Sequence, residues 1–224
     1  MRIGILGTGG MASALAEAWV RSGHQVLVGG RSLDRALALA ARLGGDGVEA
    51  ATPAQVAQAS DAVVVALAWD GVDHVLALAG AGEGSLAGKP VIDCTNAVDF
   101  TSGLLALPTG SAVEYIAERA PGSHPVKALH LFAGTSWLTP APAGQPPRTV
   151  AMCGDDPTAL ATAAGLIRDL GGVPAVIGGL AHARQLEGVA GVVMRLVAEG
   201  HNPVTAVPFV DLPGWPDQPD HPQD

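Results

Sequence analysis

The feature that most constrains the fold is a glycine-rich segment, residues 7–12, between a short apolar run and a helix-forming segment. The run at 2–6 is apolar enough for a buried parallel strand. The segment after it, Gly-Thr-Gly-Gly-Met-Ala, matches the spacing of a dinucleotide-binding turn, with Ala12 in the third small position. Such a turn presents the free N–H groups of a helix N-terminus to a pyrophosphate. We therefore predict a pyrophosphate site formed by Gly7, Thr8, Gly9, Gly10 and Met11.

The end of the second predicted strand, residues 25–29, selects the cofactor. An NAD site usually has an acidic side chain there, which holds the ribose hydroxyls. This chain has Arg31 and Ser32 instead, and Arg35 follows one helical turn later. Guanidinium groups beside a hydroxyl suit the 2′-phosphate of NADP. The sequence therefore predicts NADP over NAD, and the alternative is a Rossmann-like fold with a degenerate site.

The composition excludes several classes of protein. Of the 224 residues, 48% are hydrophobic, which is enough for a full core, but only 4% are aromatic, which argues against modules that stack nucleic-acid bases. A formal net charge of −9 without a basic tract argues against nucleic acid and anionic membranes as partners. The two cysteines show no metal spacing, and no apolar run has the length of a membrane span. Because the start does not read as a signal peptide, we expect a cytoplasmic protein.

Strand-like and helix-like segments alternate along most of the chain. This order predicts an α/β fold, with a Rossmann-type, doubly wound, mainly parallel sheet and a small C-terminal α/β extension that ends in a long helix at 180–199. Helix caps are predicted at Thr52, Asp70 and Ser111. We expect a dinucleotide-binding domain at 1–134, a proline-rich linker or surface loop at 139–147, a substrate-covering or dimerisation region at 148–206 and a Pro/Asp-rich tail at 207–224.

The ends of the later strands supply further candidates, because ligands of a doubly wound sheet bind beyond the carboxyl ends of its strands. Leu67, Ala68 and Trp69 follow one predicted strand and should flank the adenosine and the middle of the cofactor. Thr95 and Asn96 follow the next strand, and they can hydrogen-bond the nicotinamide half.

The last candidates, His130 and Phe132, come at the end of the following strand and should face the substrate. Together with Asn96 they are the candidate catalytic residues, and His130 is the one candidate for a general acid. Each position also has a plainer interpretation. Asn96 would serve as a turn residue, Trp69 as the edge of a core, and His130 as a satisfied buried histidine. Lys127 is interpreted as a structural residue or a surface charge.

Other patterns argue against other kinds of chemistry. Gly154-Asp155-Asp156 resembles the paired acids of a metal site, but a proline and a helix follow, so we predict a helix cap there and no metal. The chain has no Gly-x-Ser-x-Gly elbow to supply a hydrolase nucleophile. No convincing triad or carboxylate pair is found either. Because hydride exchange between two stacked ring cofactors needs mainly alignment, the sequence favours a cofactor-to-cofactor reductase.

Several segments together resemble the NADPH-dependent coenzyme F420 reductases, also called F420:NADP oxidoreductases. The shared segments, in the family's order, are Met-Arg-Ile-Gly-Ile-Leu-Gly-Thr-Gly-Gly-Met, Val-Gly-Gly-Arg-Ser, Val-Ile-Asp-Cys-Thr-Asn, Val-Lys-Ala-Leu-His and Met-Cys-Gly-Asp-Asp. The likeness covers about residues 1–206. Its Asp-Cys-Thr-Asn and Cys-Gly-Asp-Asp segments are more specific than the glycine turn.

The resemblance implies that NADP lies along the N-terminal domain, with its phosphates at Thr8, Gly10, Met11, Arg31, Ser32 and Arg35. It also implies a homodimer, and a deazaflavin, coenzyme F420, that stacks on the nicotinamide under the C-terminal part. The residues that would line the meeting point of the two rings are Leu67, Ala68, Asn96, His130 and Phe132. The chain departs from the family at Ala12, where glycine is more usual, at Gly10, where asparagine is common, and in the variable segment 130–133.

Two other kinds of function stay open. A reductase of a small imine or carbonyl compound, or of another flavin-like acceptor, would share the pattern of the first 35 residues. Such imine and carbonyl reductases usually carry a longer helical C-terminal domain than the single long helix predicted here. The other alternative is a non-catalytic regulatory protein that binds NADP.

Overall fold

The computed structural model describes residues 1–45, 47–99, 101–139, 146–203 and 206. The predicted tail at 207–224 and most of the proline-rich loop predicted at 139–147 lie outside the described residues. Across the part of the chain that is described, no helix is both long and apolar enough to cross a bilayer.

The described elements alternate between strands and helices. The strands are β1 (Arg2–Leu6), β2 (Gln25–Gly29), β3 (Val48–Ala50), β4 (Ala62–Val65), β5 (Pro90–Asp93), β6 (His124–Lys127), β7 (Thr149–Gly154) and β8 (Val173–Val176). The helices are α1 (Gly10–Arg21), α2 (Leu33–Leu43), α3 (Pro53–Ala59), α4 (Val72–Leu78), α5 (Ala112–Arg119), α6 (Pro157–Asp169) and α7 (Ala183–Ala198).

The strands form one sheet in the order β3-β2-β1-β4-β5-β6-β7-β8. The first six strands pair in parallel, β7 pairs antiparallel with β6, and β8 pairs parallel with β7. The strand order reverses beside β1, which is the switch point where doubly wound sheets bind their ligands. The predicted doubly wound, mainly parallel α/β fold is confirmed, and the C-terminal extension continues the same sheet.

Apolar side chains fill both faces of the sheet. The central strand β4, Ala-Val-Val-Val, is buried along its whole length, as expected for a strand with helices on both sides. On one face, fully buried Trp19 of α1 donates a hydrogen bond from its indole N–H to the carbonyl oxygen of Leu166 in α6, 3.0 Å away. This bond joins the first helix to the helix of the C-terminal extension.

The predicted caps are confirmed with one exception. The side chains of Thr52, Ser111 and Asp156 each accept a hydrogen bond from the backbone N–H three residues later. Asp70 was predicted to cap the next helix, and that prediction is wrong. The chain first forms a 3₁₀ turn at Trp69–Gly71, and α4 then begins at Val72 without a side-chain cap.

Two boundaries also differ from the prediction. His130 and Phe132 were expected at the end of the sixth strand, but β6 already ends at Lys127, and Leu129 then adopts a left-handed backbone with φ of 63°. This conformation costs a leucine about 1 kcal/mol or more, so the turn that it makes is imposed by the surrounding structure. The last long helix begins at Ala183 rather than at 180, because a 3₁₀ turn at Leu180–His182 precedes it.

Candidate functional site

The glycine turn connects β1 to α1 by a close backbone approach. Gly7 has φ of +147°, and a Cβ atom added there would lie 2.1 Å from the carbonyl oxygen of Ala66, so only glycine fits. Gly9 is the N-cap of α1, and a Cβ atom added at Gly9 or Gly10 would meet no atom within 4 Å. The turn is therefore closely packed at Gly7, whereas Gly9 and Gly10 have free space beside their Cα atoms. A helix leaves its first N–H groups without partners, so this open side suits an anion.

A cleft of about 690 Å³ runs from this turn across the ends of the neighbouring strands. Gly30 packs closely on Thr8, where an added Cβ atom would lie 3.3 Å from the threonine methyl group. The cleft brings together most of the residues predicted for the phosphates and the middle of the cofactor. Its lining residues are Thr8, Gly9, Gly30, Arg31, Ser32, Arg35, Ala66, Leu67 and Ala68.

The basic end of the cleft lies where β2 meets α2. Arg31 and Arg35 are exposed, and Ser32 caps α2 by accepting a hydrogen bond from the backbone N–H of Arg35, at 3.3 Å. Asp34 is the nearest acid in the sequence and lies in the first turn of α2, where acids are ordinary. Two cations beside a helix N-terminus can bind a phosphate group through charge-assisted hydrogen bonds.

Trp69 directly follows the cleft residues Leu67 and Ala68 and packs on Tyr115. Its ring meets that of Tyr115 edge to face, with the centroids 5.0 Å apart. The Tyr115 hydroxyl in turn donates to both carboxylate oxygens of Asp73, at 3.0 and 2.8 Å. This contact between α4 and α5 gives Trp69 a packing role that the sequence analysis considered as the plainer interpretation.

At the ends of β5 and β6, the structure brings three predicted residues together. The Asn96 side-chain amide donates to the carbonyl oxygen of His130, at 2.9 Å. The Asn96 carboxamide oxygen and the Thr95 hydroxyl are buried, and neither has a hydrogen-bond partner among the described residues. Buried polar atoms of this kind normally have partners, so both atoms can still accept or donate a further hydrogen bond.

His130 is only 5% exposed, and burial, together with the charge of Lys127, lowers the pKa of its imidazole well below the usual value. The Leu186 backbone raises the pKa of His130, but burial and the Lys127 charge outweigh this effect. The imidazole is therefore neutral at physiological pH. A buried neutral imidazole is a poor source of a proton for a substrate, which weakens the predicted role of His130 as a general acid.

Phe132 is half buried and lies close to the start of α1. Its ring packs edge to face on Trp137, with the centroids 5.3 Å apart. The turn that carries Trp137, Gly134–Trp137, lies against α1 so closely that a Cβ atom added at Gly134 would be 3.0 Å from the Gly10 carbonyl oxygen. The loop after β6 is thereby fixed beside the glycine turn.

A buried charge cluster that was not predicted from the sequence lies beside Thr95 and is formed by Asp93, Lys127 and Glu187. The Lys127 ammonium is fully buried and lies 2.8 Å from Asp93 Oδ2 and 2.9 Å from Glu187 Oε1. Burial alone would lower the pKa of Lys127, but the two carboxylates outweigh it and hold that pKa above its usual value. Burial raises the pKa of Glu187, and the Lys127 charge offsets this only in part. The sequence signal was a lysine and an aspartate inside otherwise apolar strands.

The paired acids after β7 cap structural elements, as predicted. Asp156 accepts from the backbone N–H of Ala159 at 2.7 Å, and Asp155 accepts from that of Leu180 at 2.9 Å. Among the described residues, no group of three or more His, Cys, Asp or Glu side chains is arranged to hold a metal ion.

Comparison with known proteins gives the chain a set of relatives. Residues 2–97 match the family model of coenzyme F420-dependent NADP oxidoreductases. A crystal structure from Arthrobacter sp. FB24, of a protein assigned as an F420-dependent NADP-reductase, is 30% identical, with a TM-score of 0.77. The match covers 89% of this chain and 95% of that one.

More distant relatives share the fold in larger proteins. The rat metalloreductase STEAP3 is 29% identical over 188 residues, which cover 84% of this chain but only 36% of STEAP3. The chain thus spans about a third of the length of this curated relative. An imine reductase from Streptomyces aurantiacus is 22% identical, with a TM-score of 0.60. That match covers 89% of this chain and 61% of the reductase, and at this identity it supports the fold alone.

Proposed function

Because the chain belongs to the family of F420-dependent NADP oxidoreductases, we propose that it transfers hydride between NADP(H) and the deazaflavin coenzyme F420. Membership of the family makes it an NADP-dependent oxidoreductase. The finer proposal is supported by the proposed ring end of the site, which consists of Thr95, Asn96, His130 and Phe132. It offers polar and aromatic groups but no exposed proton donor at His130.

The phosphate end would hold NADP by charge and by backbone N–H groups. Gly9, Gly10 and Met11 would meet the pyrophosphate, because the start of α1 is open to solvent there. Arg31 and Arg35 would meet the 2′-phosphate, and this contact would select NADP over NAD.

The nicotinamide end would be held by the polar side chains at the end of β5. Within the part of the chain that the structure describes, the buried carboxamide oxygen of Asn96 has no donor and the Thr95 hydroxyl has no partner. The carboxamide of a nicotinamide supplies both a donor and an acceptor, so it would complete the hydrogen bonding of both side chains.

The second ring would lie over the first, between Leu67 and Ala68 on one side and His130 and Phe132 on the other. When bound, the two rings themselves supply the carbon atoms that give and receive the hydride. The protein's part is to align the rings and keep water from them, for which the half-buried, Trp137-backed ring of Phe132 is suited. Reduction of oxidised F420 takes up one proton in addition to the hydride. Solvent at the exposed edge of the ring would supply this proton, so a buried neutral His130 is compatible with the reaction.

We also propose that two copies of the chain associate, as the family resemblance implies. Three valines of α7 leave an apolar surface open to solvent: Val189, Val192 and Val197 are 45%, 61% and 57% exposed. A second copy would bury this surface. Sedimentation equilibrium of the protein and of a Val192→Glu variant tests this. A wild-type monomer, or a variant dimer as stable as the wild type, contradicts it.

The activity is tested by mixing the purified protein with NADPH and oxidised coenzyme F420 and following the loss of deazaflavin absorbance. NADH in place of NADPH, and FMN in place of F420, are the controls. Bleaching that needs both NADPH and F420 is the expected result. Turnover of a cyclic imine or a small ketone instead would favour the imine or carbonyl reductase. Tight NADPH binding without turnover of any acceptor would favour the regulatory protein.

A further inference from the structure

The Lys127 ammonium uses all three of its N–H donors on groups of the protein. It donates to Asp93 Oδ2 at 2.8 Å, to the Thr95 carbonyl oxygen and to Glu187 Oε1 at 2.9 Å. An ammonium has three donors and no acceptor, so none is left for a ligand. Its side chain is also 0% exposed. Lys127 therefore acts on the site only through the groups that it binds.

The main effect of these bonds is to hold the backbone of Thr95 on both sides. Asp93 Oδ1 accepts from the Thr95 N–H at 2.8 Å, while Asp93 Oδ2 accepts from Lys127, which also binds the Thr95 carbonyl oxygen. The peptide that leads to Asn96 is thereby fixed at its oxygen. The Asn96 side chain continues the connection to His130 at the end of β6.

The third partner, Glu187, connects the same ammonium to α7 and α5. Both of its carboxylate oxygens accept from the backbone N–H of Ala112, at 2.8 and 3.0 Å, where α5 begins. The neighbouring Arg184 donates to the carbonyl oxygens of Leu107, Pro108 and Gly110. The loop that follows Asn96 is thus fixed by α7 at the end where α5 begins, and α7 also binds Lys127 through Glu187.

A buried charge cluster is an inefficient way to gain stability, because desolvation of the charges cancels much of their attraction. Apolar side chains of similar volume would fill the same space without that cost. Unlike apolar packing, the cluster provides directional hydrogen bonds, and these hold the backbone of Thr95. The peptide bound at its carbonyl oxygen joins Thr95 to Asn96, whose hydroxyl and carboxamide oxygen are buried without hydrogen-bond partners among the described residues.

We propose that Lys127, together with Asp93 and Glu187, is a positioning residue for hydride transfer: it fixes the Thr95–Asn96 backbone so that these two side chains hold the nicotinamide in the reactive orientation. This rests on the proposed function for the identity of the ring. Lys127 is not a catalytic residue, because it touches neither cofactor nor substrate. Its removal should leave the phosphate end of the cleft intact and disturb only the ring end.

The test compares three variants of the full chain. Lys127→Met removes the ammonium at nearly constant volume, and Glu187→Gln is the milder change in case the first fails to fold. Trp19→Phe is the matched control, because it also breaks a buried hydrogen bond but lies about 13 Å along α1 from the glycine turn. The readouts are the melting temperature, the Kd of NADPH, the emission of the bound nicotinamide and the single-turnover rate of F420 reduction.

For Lys127→Met we expect a Kd for NADPH within about threefold of wild type, since the phosphates dominate binding. The emission of NADPH bound to the variant should be closer to that of free NADPH than when it is bound to the wild type. The single-turnover rate of F420 reduction should fall by about 10- to 100-fold. Glu187→Gln should show smaller changes in the same direction. Trp19→Phe should lower the melting temperature alone.

The emission readout needs no F420, so it separates this proposal from the proposed function. If the wild type fails to reduce F420, the proposed function is wrong, and the emission of the variants still tests the role of Lys127. The positioning role would be overturned if the changes in emission and Kd were simply proportional to the loss of melting temperature in all three variants, Trp19→Phe included. Lys127 would then have a structural role alone.

Discussion

Gly191 in α7 lies directly against the backbone of Gly103. A Cβ atom added at Gly191 would be 2.3 Å from the Gly103 carbonyl oxygen, and one added at Gly103 would be 2.9 Å from that of Gly191. Two backbones approach this closely only where neither residue has a side chain. The contact fixes the loop after Asn96 onto α7, beside the bond from Arg195 to the Thr101 carbonyl oxygen.

Gly191→Ala should therefore destabilise the protein by about 1–3 kcal/mol, because the new methyl group overlaps backbone that cannot move aside cheaply. Gly188→Ala, in the same helix, is the matched control, since an added Cβ atom there meets nothing within 4 Å. The control should gain up to about 1 kcal/mol from improved helix propensity. Urea denaturation measures both, and equal effects of the two substitutions would contradict the close approach.

Alanine substitutions at Gly9 and Gly7 should have separate effects, the first on NADPH binding and the second on the stability of the fold. Gly9→Ala should leave the melting temperature nearly unchanged, because the position is open and its φ of −86° suits alanine. It should weaken NADPH binding by about tenfold or more, because the methyl group would occupy the approach of the pyrophosphate. Gly7→Ala should instead unfold or strongly destabilise the protein through its overlap with Ala66. Calorimetric titration with NADPH and thermal melts give the two readouts, and unaltered NADPH affinity in Gly9→Ala would place the pyrophosphate elsewhere.

Arg31→Ala should reduce the affinity for NADPH by about 10- to 100-fold with little effect on NADH, since a charge-assisted phosphate contact is lost. Arg42→Ala is the control: it removes an arginine of α2, the helix that follows Arg31, at a position outside the cleft, where the guanidinium donates to the Ser13 hydroxyl at 2.7 Å. That control should leave the preference between the two nucleotides unchanged. Equal losses for NADPH and NADH in Arg31→Ala would argue against a 2′-phosphate role.

Stability should fall on acidification because of His130. The pKa of its imidazole is lowered in the folded protein, so at acidic pH the unfolded chain binds a proton that the folded protein does not. By linkage, the free energy of unfolding then decreases as the pH falls below about 6.5, by at most about 1.4 kcal/mol per pH unit. The stability difference between the wild type and His130→Gln, measured by urea denaturation from pH 7.5 to 5, isolates this contribution. Parallel curves would show that His130 is not a buried neutral group.

The sequence could predict which residues around the glycine turn share one cleft, because the signals are local. The strand, the glycine turn, the helix and the basic residues all lie within the first 35 residues, and their spacing follows from the geometry of one turn. The same holds for the caps at Thr52 and Ser111, which depend on bonds three residues apart.

The ring end was harder to predict because its contacts join distant parts of the chain. Asp93 and Lys127 are 34 residues apart, and Ala112 and Glu187 are 75 apart. Neither pairing can be read from periodicity, since it depends on which strands are neighbours in the sheet. The left-handed Leu129 was unforeseen for a related reason, because a leucine has no local preference for that conformation.

The contact of α7 with Lys127 and with the start of α5 affects the order in which the two ends of the site form during folding. The proposed phosphate end is built from β1, α1, β2 and the start of α2, which leave the ribosome before α7 and contact one another locally. The ring end needs Glu187 of α7, the last helix among the described elements, to return to Lys127 and to the start of α5. Contacts over such sequence distances form late in folding. During synthesis, we therefore expect the proposed phosphate end to form well before the contacts of Glu187 that fix the proposed ring end.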